Sequence, residues 1–478
     1  MKSGTSSLPC FSLPRLIRSA IILGVLFAMT AFLLSLRDAH AAATTFTVNS
    51  LDDTDDGNCD SAPDCTLREA INAANDNPGA DTINFTVTGI INLTGPLANI
   101  IDDVTINGPG SHLLTVRRDT GGDYRIFNVT ASGMVTFLGL TIKDGQFATG
   151  KIGENGGAAI NNASSGTVNV INCTLTQNST VPFSQQSPFA GAGGAIFNGS
   201  GTLTVTNSTL SNNSTTLALA SGGAIYNGGT AIITNSVLRD NTTAGANGGA
   251  ILNLGSMAVE SSTISENSAT LSSGGGIYNE GTLDVAQSTL RNNSAFIEGG
   301  GIYNEGGMLK MTNSTLNGNS ASEGGGIFNL GTANVTSSTL SGNSGSDEGG
   351  GVFNLGSMTV HSSIIALNTA PTSPNLSGSV TSLGYNVVGD STFIPTTGDQ
   401  IGVTAAQLKL GPLANNGGPT QTMELCMDSV AIDAGDNAVL TPPLSLTTDQ
   451  RGLGFRRRIG LQVDVGAYEV RGRARLCP

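Results

Sequence analysis

Five glutamates recur at a fixed interval in the second half of the chain. Glu298, Glu323 and Glu348 each stand before a Gly-Gly-Gly, and Glu280 and Glu305 each follow an Asn. If the chain repeats at that interval of 25 residues, like charges stack on one another. Stacked carboxylates repel in solvent or share a cation such as Ca²⁺, so the five form a tentative cation or ligand face. Asp52, Asp53, Asp55 and Asp56 make a second acidic cluster, a candidate cation loop. The calcium-roll nonapeptide is absent from both. His112 and His361 have no partner at useful spacing and read as core or surface histidines. Arg456-Arg457-Arg458 reads as a solvated face, or as partners for Asp449 and Asp464.

Cleaving a polysaccharide asks for more. A glycoside hydrolase needs carboxylates about 5–10 Å apart, and a lyase needs a base beside a cation. The basic residues Lys151, Arg239, Arg291 and Lys310 share no column. No catalytic set and no resident cofactor is therefore expected. The alternative, a polysaccharide lyase or glycoside hydrolase, would place its site on irregular coils at Asp102-Asp103 or Asp119 to Arg125.

The elements that must position these residues are written as a repeat. An anchor Asn follows a Gly-Gly-x-Ile-aromatic run at Asn198, Asn227, Asn253, Asn279, Asn304, Asn329 and Asn354, with a weaker copy at Gly156 to Asn161. Downstream, an apolar column runs Leu175, Leu210, Leu238, Ile264, Leu290, Leu316, Leu340, Ile365. Two residues earlier stands a small column of Ser, with Cys173 as a buried thiol. Alternation at a period of two predicts strands, two or three of about five residues per unit. Units that each bury an apolar side only against a neighbour stack into a solenoid. The expected fold is all-β, a right-handed, single-stranded parallel β-helix of about ten coils over 81–370, with its best repeats at 156–369. An Asn column at 178, 213, 241, 267, 293, 319, 343 and 368 is expected to take left-handed corners and to form a side-chain ladder. Its Asn-x-Ser/Thr triplets thus read as ladder rather than glycosylation sites.

Residues 1–41 read as a signal peptide: Lys2, Arg15 and Arg18, an apolar run from Ile21 to Leu36, then Ala39-His40-Ala41. Removing its four basic residues and one acidic leaves 17 Lys+Arg against 34 Asp+Glu, a formal −17, which excludes nucleic acid as a natural partner. No membrane span is expected after cleavage. Export permits disulfides, Cys59–Cys65 and Cys426–Cys477. Leu67, Ala70, Ile71 and Ala74 lie on one side of a short N-terminal helix that would cap the stack within a 42–80 segment.

Cys65-Thr66-Leu67-Arg68-Glu69-Ala70 resembles the CSLREA signature of bacterial surface proteins, with Thr for Ser at 66. The Gly-Gly-x-Ile-aromatic-Asn units are similar to repeats of polymorphic outer-membrane proteins and of pectin-lyase-like β-helices. In 371–478, Gly411 to Met423, Ala431 to Gly435, Thr448 to Gly452 and Asp464 to Glu469 resemble the choice-of-anchor Q domain. The resemblance implies a secreted or cell-surface location in a bacterium and an adhesive or structural role, with an extracellular glycan or cell-surface component as partner. A sorting signal usual after that domain is not seen at Arg471 to Pro478, so release or non-covalent retention is expected. The long corner at 179–192 and the Glu columns are the expected binding face.

Overall fold

The computed structural model describes residues 43–59, 64–149, 155–182, 192–216, 221–390 and 393–476. The signal segment, residues 183–191 of the long corner and Cys477 lie outside them. The chain is a parallel β-helix, and each coil has four walls. One coil runs through Thr202–Thr206, Thr209–Ser211, Ser214–Thr216 and Ile225–Asn227. Among the described residues, stacking builds parallel sheets of thirteen, thirteen, eight and ten strands. The expected two or three strands are thus four, three of them short. The reason is local: left-handed residues turn the chain twice within a few positions, at Asn207 and Asn212 in this coil.

The apolar column is one continuous file. Leu175, Leu210, Leu238, Ile264, Leu290, Leu316, Leu340 and Ile365 pair in register from coil to coil and are fully buried. Beside it, each ladder Asn donates Nδ2 to Oδ1 of the Asn on the next coil at 2.9–3.0 Å, from Asn178 through Asn368. The same Nδ2 reaches a Leu or Ile carbonyl of the preceding coil, as Asn267 does to Leu238 O at 3.0 Å. The left-handed residue, however, is the one before: Gln177, Asn212, Asp240, Glu266 or Asn292. The ladder Asn is held by its amide, and the corner is turned by its neighbour. Triplet-forming Asn178, Asn213 and Asn241 are fully buried.

A second ladder joins Asn162, Asn198, Asn227, Asn253, Asn279, Asn304, Asn329 and Asn354. Its first member corrects the repeat alignment: Asn162 pairs with Asn198, and Asn161 pairs with Phe197. The Gly-rich run before it is needed for closeness. Gly299 is left-handed at φ +65°, and a Cβ on Gly300 would lie 2.4 Å from Ser320 O. Cys173 is a free, buried thiol bonded to Phe137 O and Ile171 O, and burial pushes it up to about 11.

The helix Leu67–Asp76 closes the first end, burying Leu67, Ala70, Ile71 and Ala74 against the first two strands. Thr66 and Glu69 form a capping box, and Arg68 clamps Asp53 at 2.8–3.0 Å while donating to Gly95 O and Pro96 O. Cys59–Cys65 is a disulfide. Cys426 is also disulfide-bonded, and its expected partner Cys477 is outside the described residues. At the other end, Val387–Val388 and Gln400–Ile401 add the last strands of the second wall. The chain then turns back along the rod, where Gln450 Nε2 donates to Thr289 Oγ1 and Oε1 accepts from Thr315. Thr44–Pro478 forms one unit.

Asn267→Ala removes an acceptor from Asn241 and a donor to Leu238 inside the lumen. It is expected to cost about 3 kcal/mol, comparable with Leu238→Ala at about 3 kcal/mol. Hydrogen exchange should show protection falling in the coils on either side, since repeats unfold against their neighbours. A cost below about 1 kcal/mol would remove the ladder as a source of stability.

Candidate functional site

The glutamates do stack. Glu298 bridges Glu323, and Glu323 pairs with Glu348. The ends of the column are satisfied by hydroxyls, Ser273 to Glu298 at 3.1 Å and Ser377 to Glu348 at 2.8 Å. Glu323 in the middle is pushed up by burial and by Glu298, Asp347 and Glu348. Glu280 and Glu305 sit on successive coils, each N–H bonded to the anchor Asn of the coil before, and Tyr278 donates to Glu305. Among the described residues no group of three or more acidic, His or Cys side chains could hold a metal.

The Asp run is engaged within the cap. Asp53 takes Arg68, Asp55 accepts from Gly57 N and Asn72, and Asp56 accepts from Asn58 N. Asp102 and Asp103 receive backbone donors of Gly79 and Met134. His361 is not partnerless: its Nε2 lies 3.0 Å from Asp436 Oδ2, on the folded-back C-terminal segment. The Arg run divides. Arg456 and Arg458 are exposed, whereas Arg457 is fully buried and donates to the backbone oxygens of Asp464 and Gly466 rather than to carboxylates.

A broad cavity lies where the repeat is imperfect. On the outward side of the fourth wall one row reads Asn99, Asn128, Asn161, then Phe197, Tyr226, Leu252, Tyr278, Tyr303, Phe328, Phe353. From Phe197 on, rings stack at 4.6–5.1 Å in two runs, Phe197–Tyr226 and Tyr278 to Phe353, with Leu252 between them, and seal that side. Over the three Asn it is open, as a groove of about 530 Å³. Asn161 donates to Asn128 at 2.6 Å and Asn128 to Asn99 at 2.7 Å. Asn161 Oδ1 is buried and accepts no hydrogen bond. Arg125 crosses the groove: its guanidinium lies 3.7 Å from the Phe147 ring and donates to Asn128 Oδ1 and Asn155 O. Asp123 completes the lining. Paired amides, a guanidinium and a carboxylate suit a ligand rich in hydroxyls.

Sequence reasoning placed Asp119 to Arg125 on an irregular coil but missed the Asn row. Its signal was present: a polar residue in the aromatic slot, hidden by the one-residue misalignment of Asn161. The chain matches no protein-family model and no curated protein.

A second cluster lies in the folded-back segment. Asp449, Arg451, Arg457, Asp464 and Glu469 are all buried. Burial, then Asp464, pushes Glu469 up to about 8, and burial pushes Asp464 up to about 6.

Two pH effects follow. A raised folded pKa gives stability that is complete at low pH and is lost as pH rises through the folded value. For Asp464 and Glu469 the loss begins at the ordinary carboxyl value of about 4 and is complete at folded values of about 6 and about 8, so the C-terminal segment should become more open to limited proteolysis between about pH 4 and about pH 8. Glu323→Gln should raise the melting temperature near pH 7 and give no gain near pH 3, where the native carboxyl is already protonated.

Proposed function

We propose that the mature chain is a secreted or cell-surface bacterial β-helix protein with a structural or adhesive role, binding glycan and performing no chemistry of its own. The observation that carries this reading is the open Asn99–Asn128–Asn161 row, where the aromatic seal of the other coils is replaced by hydrogen-bonding groups around a groove. Uniform repeats depart from their own rule chiefly at sites of function. The disulfides support an oxidising destination, and the acidic balance disfavours nucleic acid. The expected Glu face is the weaker candidate, because the ends of its main column are already bonded to Ser273 and Ser377.

One observation favours a second reading. Asp123 and Arg125 share the groove, a carboxylate beside a cation, which is the pairing a polysaccharide lyase uses. A panel of neutral and acidic glycans, incubated with the purified protein with and without Ca²⁺, separates the two. The expected result is binding without products, weakened about tenfold by Asn128→Leu, the effect of losing roughly one to two hydrogen bonds. New reducing ends or unsaturated products, lost in Asp123→Asn, would replace the adhesive reading. Binding unaffected by Asn128→Leu would move the site elsewhere.

A further inference from the structure

The distribution of positive charge along the chain is uneven. The whole sequence has 21 Lys+Arg against 35 Asp+Glu. Between Arg451 and Arg475 stand seven Arg and two acidic residues, so a third of all the cations fall within 25 positions. Two of the seven are buried, Arg451 and Arg457. Arg471, Arg473 and Arg475 make no ion pair among the described residues.

These three surround a cavity of about 330 Å³ whose wall also includes Arg451, Phe455 and Tyr468. Arg451 is fixed by the fold. Its Nε and Nη2 take both oxygens of Asp449 at 2.5–3.2 Å, and Nη2 also reaches Glu469 O. Its guanidinium stacks 3.8 Å from the Tyr468 ring and 4.3 Å from that of Phe455. Nη1 makes one long contact, 3.5 Å to Asn416 O, and Arg451 forms part of the cavity wall. Arg471 also lies over Phe455, at 4.9 Å, so one ring bears two cations. Like charges are held together here and, among the described residues, none of the outer ones is ion-paired with a carboxylate, Glu424 of the same wall included; an oxyanion between them would relieve the repulsion through forked, charge-assisted bonds.

We infer that this cavity binds a sugar bearing an oxyanion, whether phosphate, sulfate or carboxylate. The volume lies at the small-ligand end of protein sites. Beyond the bonds of Asn416 Nδ2 to Thr422 and of Asn415 Oδ1 from Gly417 N, the amides of Asn415 and Asn416 and the carboxylate of Glu424 in the wall supply partners for hydroxyl groups, which a bare ion would leave unused. Glu424, with the acidic remainder of the chain, works against a dense polyanion such as DNA or a charged bilayer. The site is separate from the Asn groove and does not depend on it.

The test titrates the purified mature protein with sparsely sulfated dextran, sparsely phosphorylated dextran, largely methyl-esterified polygalacturonate and neutral dextran, and with phosphatidylglycerol vesicles and a single-stranded oligonucleotide. Saturable, salt-sensitive binding to at least one of the three anionic saccharides and none to dextran is expected, and their order of affinity names the oxyanion. The triple variant R471Q/R473Q/R475Q, altered at exposed positions, should melt as the parent does and bind at least tenfold more weakly. Asn128→Leu should leave this binding unchanged. An unaltered affinity in the triple variant, no binding to any anionic saccharide, or tighter binding to vesicles or oligonucleotide would overturn the assignment.

Discussion

The rod depends on one bond, in which the amide of a buried Asn donates to the same amide one coil further along. In a lumen without water such a side chain is tolerable only when each polar atom finds a partner. The next Asn supplies it only if the coil between them advances by one strand spacing and holds register to the residue. Each coil is therefore correct on condition that its neighbours are. Length differences gather where no ladder runs, between the third and fourth walls, which is why Asn178 to Gly193 can be long while Asn319 to Gly324 is short. The Ser column adds a third constraint, since Ser208, Ser236, Ser262 and Ser288 each pass a backbone N–H to the next hydroxyl at 3.1 Å.

Such uniformity leaves little room for a site inside the repeat. A side chain that departs from its column loses partners above and below, so chemistry is affordable only at the outward rows and at the ends. Both candidate cavities lie there. The Asn groove lies on the outward row of early coils, before the aromatic stack begins. The Arg cavity lies in the segment that leaves the rod and returns to its flank.

The coil period, the apolar file, the capping helix and its four buried residues were legible in the sequence because each rests on a pattern confined to one column or one helix turn. The Glu298, Glu323 and Glu348 stack was legible for the same reason. Four strands per coil were not, because the left-handed corners at positions such as Asn212 and Asp240 are occupied by Asn, Asp, Gln and Glu without a common signal. The Asn row escaped because Ala158 stands where later coils carry their second Gly, so the Gly156-Gly157 pair reads one position early and Asn161 passes for the anchor although it fills the slot of Phe197. The partners of His361 and Gln450 were beyond reach, since they join positions 75 and 135–162 residues apart.

That long-range docking explains an asymmetry along the rod. The residue beginning each second-wall strand is half-exposed at Thr174, Thr209 and Thr263, yet buried at Thr289, Thr315 and Thr339. The later three are covered by Gln421, Gln450 and Ala467, with hydrogen bonds from or to each Thr hydroxyl. The hydrophobic gain lies beside the threonines, where Leu425, Ala431 and Val465 pack with Ile364, Ala366 and Val387 of the rod, while burying Asp449, Arg451, Arg457, Asp464 and Glu469 costs desolvation that their mutual attraction only partly offsets. The cluster therefore fixes how the segment sits more than how tightly. The same clamp turns Arg451 on Asp449 and holds Phe455 and Tyr468 against it, and the whole wall of the cavity comes from this segment. By linkage, an anion held there adds its binding free energy to the fold of the segment, and whatever loosens the buried cluster lowers affinity in equal measure.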